Sequence, residues 1–380
     1  MKMATLPAET AEPVVVIPAQ RAWVTVARCA AIAAFVVAVT LFFFFFLKSR
    51  HGLTWVLLDA TWDDGRTFYR IATEGYRNLP LTEYRELGLY PLFLRLVHPI
   101  AGIYSLLVVS LGFSALNSVL FYLILRRWYA SERVSFAAAL VLSVARQPVF
   151  FMQFIKWQLP SMTICNSIQG SEGVYLFGLL AAFYLYKSER VPQAFLLVGL
   201  SSVTRMTGII AAAGLWVDLV RRRQWRRSLW AAIPCAILAS HFAYYAYLTG
   251  DFFVVFKAHH AFNHLEHAFT YPFADLFAAL RGQYRELGEG SWGWVVIYGY
   301  CIGGLGILAI KREWALLLVT APIFLLFLCL RDWSLHGRYY ETLFGVPFAY
   351  AMLFARRGRV NIGASPVLKD APVSRAGAPS

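Results

Sequence analysis

Two adjacent carboxylates, Asp63 and Asp64, follow Trp62 and open the run Gly65-Arg66-Thr67-Phe68-Tyr69-Arg70-Ile71-Ala72-Thr73-Glu74-Gly75-Tyr76, just beyond the first long apolar stretch of the chain. A carboxylate held at a membrane surface beside a hydroxyl can take its proton while the oxygen forms a new bond. Where the bond broken is one to a phosphate, the leaving group is weakly basic. No second carboxyl is then needed to protonate it, in contrast to glycoside hydrolysis. Such a phosphate calls instead for cations and hydrogen-bond donors. Arg205 and Arg338 are candidates for that task, with Glu172, Tyr69 and Tyr339 as polar groups suited to hold substrate or orient the base.

Each of these residues also has an ordinary structural use. Asp is favoured at helix N-caps, and Glu172 after Ser171 suits the first turn of a helix. Arg338 and Tyr339, beside His336, fit a snorkelling cation and an aromatic belt at an interface. Arg205 lies inside an apolar stretch, where an unpaired guanidinium costs ~2.5 kcal/mol or more, so a partner is expected in Glu172, Asp251 or a bound phosphate. His260 and His264 share a helical face near Glu266, but no HExxH pattern accompanies them and a divalent metal is not implied.

The elements that must position these groups are membrane helices. Of the 380 residues 59% are hydrophobic and only 15% charged, and the apolar runs reach the roughly 20 residues that a spanning helix requires. The expected fold is an all-α, polytopic transmembrane protein of about ten segments. They lie near 26–47, 100–125, 134–153, 172–187, 193–205, 207–220, 229–248, 291–310, 315–331 and 340–355. A formal charge of +14 would suit nucleic acid in a soluble protein. Here the basic residues cluster between apolar runs, as the positive-inside rule requires, and no nucleic-acid partner is expected. Cys29, Cys165, Cys235, Cys301 and Cys329 have no metal-ligand spacing and read as packing residues.

Topology follows from the same clusters. With both termini cytoplasmic, Arg126, Arg127, Arg133, Lys187, Arg190, Lys311 and Arg312 fall inside, as do Arg356, Arg357 and Arg359. Bringing Arg221 to Arg227 to that side requires 193–220 to form a hairpin of two short helices, broken near Arg205-Met206-Thr207-Gly208. Loops 48–99, 154–171, 249–290 and 332–339 then share the outer face, where amphipathic stretches Phe68 to Tyr76 and Phe252 to Phe262 are expected to lie as interfacial helices. Trp55 and Trp157 read as interface anchors or sugar-stacking surfaces, and Arg146 and Lys156 are less informative. Residues 1–24 and 359–380 read as disordered cytoplasmic tails. Only seven of the 35 basic residues are Lys, a bias typical of a GC-rich bacterial genome, so a bacterial plasma membrane is the expected location.

The run Asp64-Gly65-x-x-Phe68-Tyr69-x-Ile71-Ala72-x-x-Gly75-Tyr76, followed by Leu89-Tyr90-Pro91-Leu92-x-Leu94-Arg95-Leu96, resembles the first outer loop of the class V phosphatidylinositol-glycan mannosyltransferases and their bacterial relatives. These belong to the GT-C superfamily of polytopic glycosyltransferases. Ser171-Glu172, Arg205-x-Thr207-Gly208, Gly250-Asp251-Phe252 with Lys257-Ala258-His259, and Gly337-Arg338-Tyr339 follow in family order, so the likeness covers most of residues 55–355. Two departures accompany it: one additional residue separates Trp62 from Ile71-Ala72, and the family's aromatic is absent at Thr67.

The resemblance implies a 25–358 glycosyltransferase domain with an outer-face active site roofed by loop helices. It implies inverting transfer of a sugar, with mannose expected, from a polyprenyl-phosphate donor entering from the lipid bilayer to a glycolipid or cell-envelope glycan acceptor. No cofactor is required. Spacing to Ile71-Ala72 selects Asp64 as base, whereas the family's Trp-Asp pair selects Asp63, and both stand. Arg205, Lys257, His259 and Arg338 would hold the donor phosphate, supported by Glu172. The readings from other classes are a transporter or flippase and a non-catalytic binding protein for a lipid-linked sugar. A transporter would be expected to carry repeated halves and mid-membrane ionisable groups.

Overall fold

The computed structural model describes residues 19–59, 64–77, 79–86, 88–144, 171–263, 270–274, 277, 281, 291–329 and 343–354. Among them every regular element is helical. Helix α1 (Ala19–His51) reaches back into the stretch expected as a tail. Its 33 residues span about 50 Å, against about 30 Å for a bilayer's hydrocarbon core. Among the described residues three helical stretches are long and apolar enough to cross a membrane: Ala22–Phe42, Leu89–Tyr129 and Trp225–Thr249. Val191–Ser202, Tyr298–Ile310 and Trp314–Leu328 are apolar but shorter.

The stretch Leu89–Tyr129 is not one straight rod. A continuous helix would separate Tyr90 from Ser110 by about 30 Å. Their hydroxyls are instead 3.2 Å apart, and the rings of Phe93 and Phe113 lie 4.9 Å centre to centre. Helix α3 (Leu89–Ala101) therefore folds back on the start of α4 (Ser105–Ile124), and the reversal falls at Gly102, whose φ of 54° is left-handed. The sequence reading leaves 89–99 in the outer loop 48–99, whereas the structure makes this stretch helical despite Pro91 and Arg95. Pro91 sits in the first turn, where its missing N–H leaves no bond unmade, and Arg95 is exposed.

Preceding α3 is α2 (Asp64–Glu74), α10 (Val254–Asn263) falls on the amphipathic stretch of the 249–290 loop, and the remaining helices follow the apolar runs: α5 (Glu132–Val144), α6 (Glu172–Lys187), α7 (Val191–Ser202), α8 (Gly208–Arg221), α9 (Ala232–Thr249), α11 (Ser291–Ile310), α12 (Trp314–Leu328) and α13 (Gly345–Leu353). Tyr122, Phe183, Phe195, Phe327 and Phe348 fill the core that α4, α6, α7, α12 and α13 share. The hairpin expected within 193–220 is present as α7 and α8. A Cβ on Gly208 would come within 2.6 Å of the Ser202 nitrogen, so the break needs a residue without a side chain.

Charge is sorted along this bundle. Glu172 opens α6 and Lys187 closes it, so the two mark opposite ends. At the Lys187 end the basic connections meet: Lys187 Nζ lies 3.3 Å from Glu313, the Tyr129 hydroxyl donates to Glu313 at 3.0 Å, and Arg227 pairs with Glu189. Three turns there repeat one geometry. The N–H groups of Arg190, Gln224 and Glu313 bond to the carbonyls of Leu185, Leu219 and Leu308, while those of Glu189, Arg223 and Arg312 bond to Tyr186, Val220 and Ala309. This double bond is the Schellman termination, which places its central residue in the left-handed region. Glycine usually stands there. Here Glu189, Arg223 and Arg312 have φ of 62°, 60° and 57°. A side chain in that region costs about 1 kcal/mol. Arg312→Gly is accordingly expected to raise the thermal unfolding midpoint of the detergent-solubilised protein; a fall would mean that the guanidinium makes a compensating contact.

Candidate active site

Helix α2 is amphipathic in the literal sense that Phe68, Ile71 and Ala72 are buried while Arg66, Thr73 and Glu74 are exposed. Gly65 lets it settle against the preceding turn Trp55–Asp59, since a Cβ there would lie 2.7 Å from the Leu57 carbonyl oxygen. That approach draws the first residue, Asp64, inside the protein, where it is 8% exposed. Its partner is Arg85, which donates from Nη2 to Asp64 Oδ1 at 2.9 Å, from Nε to Glu86 at 3.0 Å and from Nη1 to the Thr82 carbonyl at 3.2 Å. The fork of the guanidinium thus ties Asp64 to the 3-10 turn Leu81–Arg85. Arg70 pairs with Glu83 across the same junction. Tyr84 donates to the Tyr76 carbonyl at 2.8 Å, and Tyr76 and Tyr245 both donate to the carbonyl of Glu86.

The break between α7 and α8 brings a second pair alongside. Arg205 Nη1 lies 2.5 Å from Glu172 Oε1, with the side chains 17% and 3% exposed. Glu172 is thus an ion-pair partner, and Ser171 makes no side-chain capping bond to α6. The backbone of the break receives the start of α3, through the Leu89 N–H on the Val203 carbonyl at 3.2 Å, and Thr207 donates to the Tyr175 hydroxyl at 3.0 Å. Helix α10 packs against the turn that carries Arg85. Its Val254, Val255 and Ala258 pack with Tyr84, Phe242 and Tyr245, and Met206 of the break joins the same cluster.

His259 follows Ala258 on α10 and lies in the field of both arginines. Burial, then the charges of Arg85 and of Arg205, hold its imidazole down at about 4, so it is neutral at pH 7. It offers a hydrogen-bonding ring there, not a standing charge. Lys257 goes elsewhere: it is 64% exposed and bonded to Asp251 at 2.7 Å. Tyr69 turns toward α3, where its hydroxyl is 3.1 Å from His98 Nε2 and the rings stack. Of the residues singled out from sequence, the structure therefore gathers Asp64, Glu172, Arg205 and His259. Lys257 and Tyr69 stand outside that cluster. Asp63, Arg338 and Tyr339 lie outside the described residues, as do His336, Arg146, Lys156, Trp157, His264, Glu266 and His267.

Arg85 and Glu86 were missed. The available signal was the positive-inside rule itself, which makes a cation in an outer loop unusual enough to ask what holds it there. Chemically, the cluster sets Asp64, Glu86 and Glu172 against Arg85 and Arg205, with a neutral imidazole in the field of both arginines. It can present a carboxylate to a hydroxyl and guanidinium donors to an oxyanion. Among the described residues no three His, Cys, Asp or Glu side chains converge as metal ligands.

Removing one member of a buried ion pair strands the other, at a cost of about 3–5 kcal/mol, whereas removing both costs much less. Glu172→Ala should lower the thermal midpoint markedly, and Arg205→Met added to it should restore part of the loss. His259 gives a test in pH. Its folded pKa lies below the usual 6.5, so the unfolded chain binds the extra proton between about pH 6.5 and 4, and stability falls as pH drops through that window. The midpoint of His259→Gln should fall less than that of the parent between pH 7 and 4.5, and equal falls would remove the burial of His259 as their cause. No protein-family model, curated protein or solved structure matches this chain, so its functional reading rests on the residues and on their arrangement.

Proposed function

We propose that the protein is an integral-membrane glycosyltransferase of GT-C type, with about ten membrane segments, that moves a sugar, with mannose expected, from a polyprenyl-phosphate donor to a hydroxyl acceptor. The observation that carries this reading is the cluster itself: Asp64, placed by the first loop, stands with Arg85, Arg205, Glu172 and His259 at the end of the bundle opposite the basic connections. By the positive-inside rule that end faces outward, in a multi-pass plasma-membrane protein with cytoplasmic termini. A donor anchored in the bilayer would reach it sideways, and the acceptor would come from the glycolipids or glycans of the outer face.

In the proposed reaction the acceptor oxygen attacks the anomeric carbon as the bond from that carbon to the phosphate oxygen breaks. The phosphate leaves with the electron pair, and the acceptor proton passes to a carboxylate. Asp64 is that base on the present reading, with Asp63 its sequence neighbour and rival. Arg85 orients the Asp64 carboxylate through Oδ1. Arg205 and His259 face the departing phosphate, with Arg338 completing the cation set, while Glu172 fixes Arg205. Single displacement inverts the anomeric centre. The transporter reading gains nothing from the ion pairs, which sit at one end of the bundle rather than at its middle.

Purified protein supplied with labelled polyprenyl-phosphate mannose and a membrane-lipid acceptor fraction should transfer the label. A positioned general base contributes about 10²–10⁴-fold, so Asp64→Asn should lower kcat by that much with little change in KM. Loss on Asp63→Asn with activity kept in Asp64→Asn would move the role to Asp63. Label moved across vesicles without transfer would favour the transporter.

A further inference from the structure

At the basic end, helix α8 runs into a sharp elbow: Arg221-Arg222-Arg223-Gln224-Trp225-Arg226-Arg227-Ser228-Leu229-Trp230. Asp218, wholly buried, is the knot beneath it. It accepts from the Tyr186 hydroxyl at 2.7 Å and from Arg221 and Arg222 at 2.8 Å each. Arg227 is taken by Glu189. Five arginines against these two acids leave a positive surplus: Arg221 and Arg222 share the one charge of Asp218, and Arg223 and Arg226 are both exposed with no ion-pair partner among the described residues. Arg221 also lies over the Trp314 ring at 5.4 Å, which sets the neighbouring turn with its exposed Lys311 and Arg312 beside the elbow.

The apolar half of the elbow points to what covers it. Trp225, Leu229 and Trp230 are 59%, 75% and 45% exposed, and they begin the membrane-length stretch Trp225–Thr249. Guanidinium groups, indoles and a bare leucine thus meet where an apolar span starts, the depth at which phospholipid headgroups lie and tryptophan prefers to sit. Arg223 moreover occupies a left-handed position where glycine would be easier, and its side chain is exposed at the turn. We infer that this elbow is a binding site for the anionic phospholipid headgroups of the surrounding leaflet, with Arg223, Arg226, Lys311 and Arg312 on phosphate and Trp225, Leu229 and Trp230 against the acyl chains. Charge complementarity selects anionic over zwitterionic lipid, because a headgroup with its own cation cannot discharge the surplus. The site is independent of the proposed sugar transfer.

The test uses the full chain in phosphatidylcholine nanodiscs doped with phosphatidylglycerol, counting retained lipids by native mass spectrometry. The parent should hold phosphatidylglycerol beyond its share of the disc. Arg223→Gln with Arg226→Gln should weaken that retention by roughly thirtyfold. A charge-matched pair, Arg77→Gln with Arg95→Gln, whose exposed side chains lie away from the elbow, should keep it. No enrichment in the parent, equal loss in both pairs, or retention in the elbow variant overturns the proposal. Should the elbow variant fail to fold, as judged by its thermal midpoint in phosphatidylcholine alone, salt decides: about 0.5 M salt should strip the excess phosphatidylglycerol from the parent, and enrichment that survives it overturns the site.

Discussion

The Arg205–Glu172 pair is the constraint on which the arrangement depends. Arg205 stands in a five-residue break between two short apolar helices, and Glu172 begins the helix beside them. Neither charge is tolerable alone at 17% and 3% exposure, so the pair fixes how far the α7–α8 hairpin can slide along α6. The carbonyl of Val203, held by that turn, then receives Leu89, and α3 begins there. From Leu89 the chain leads back to the turn that carries Arg85, and so to Asp64. One non-local pair thus sets the level of the first-loop carboxylate relative to the bundle.

A second layer of polar bonds makes that level rigid. Two tyrosines converge on the single carbonyl of Glu86, one from the first loop and one from α9, while Tyr84 returns a bond to Tyr76. Because these hydroxyls sit on large buried rings, each bond also anchors apolar surface, and α10 packs its Val254, Val255 and Ala258 on the same rings. The loops that sequence assigns to one face are therefore locked to each other through aromatic side chains rather than through backbone ladders. This is the expected solution where loop backbone must lie close to apolar surroundings.

What was legible in the sequence follows from the range of each interaction. Apolar runs announced the helices, and the charge bias of the Arg221 to Arg227 cluster alone demanded the hairpin that α7 and α8 form. Gly208 could be named as its break because the need there is local. Amphipathic spacing likewise gave α2 and α10. Helix α3 was hidden, since the expected segment begins at 100 and leaves 89–99 to a loop, and contacts such as Tyr90 with Ser110 show that α3 folds back on α4. Arg85 was hidden for a related reason. Its partner Asp64 lies 21 residues away across a loop whose path no periodicity dictates. His259, by contrast, could be chosen from position but not described, because the lowering of its pKa arises from burial and from two arginines that are distant in sequence.

These pairings bear on how the proposed site would meet an anion. The two arginines nearest the cluster already answer Asp64 and Glu172, so the cluster has no large excess of positive charge to spend on a phosphate. A donor phosphodiester carries one negative charge, but the released phosphate monoester carries up to two, so the demand for positive charge rises as the reaction proceeds. In the proposed reaction His259 would meet that rise. Its imidazole is kept neutral by burial and by Arg85 and Arg205, and a phosphate set among the same groups would offset their field and favour the imidazolium. A fixed cation in its place would bind donor and product alike from the start. A titratable one strengthens its hold only as charge develops, which is the difference that lowers a barrier rather than merely tightening binding.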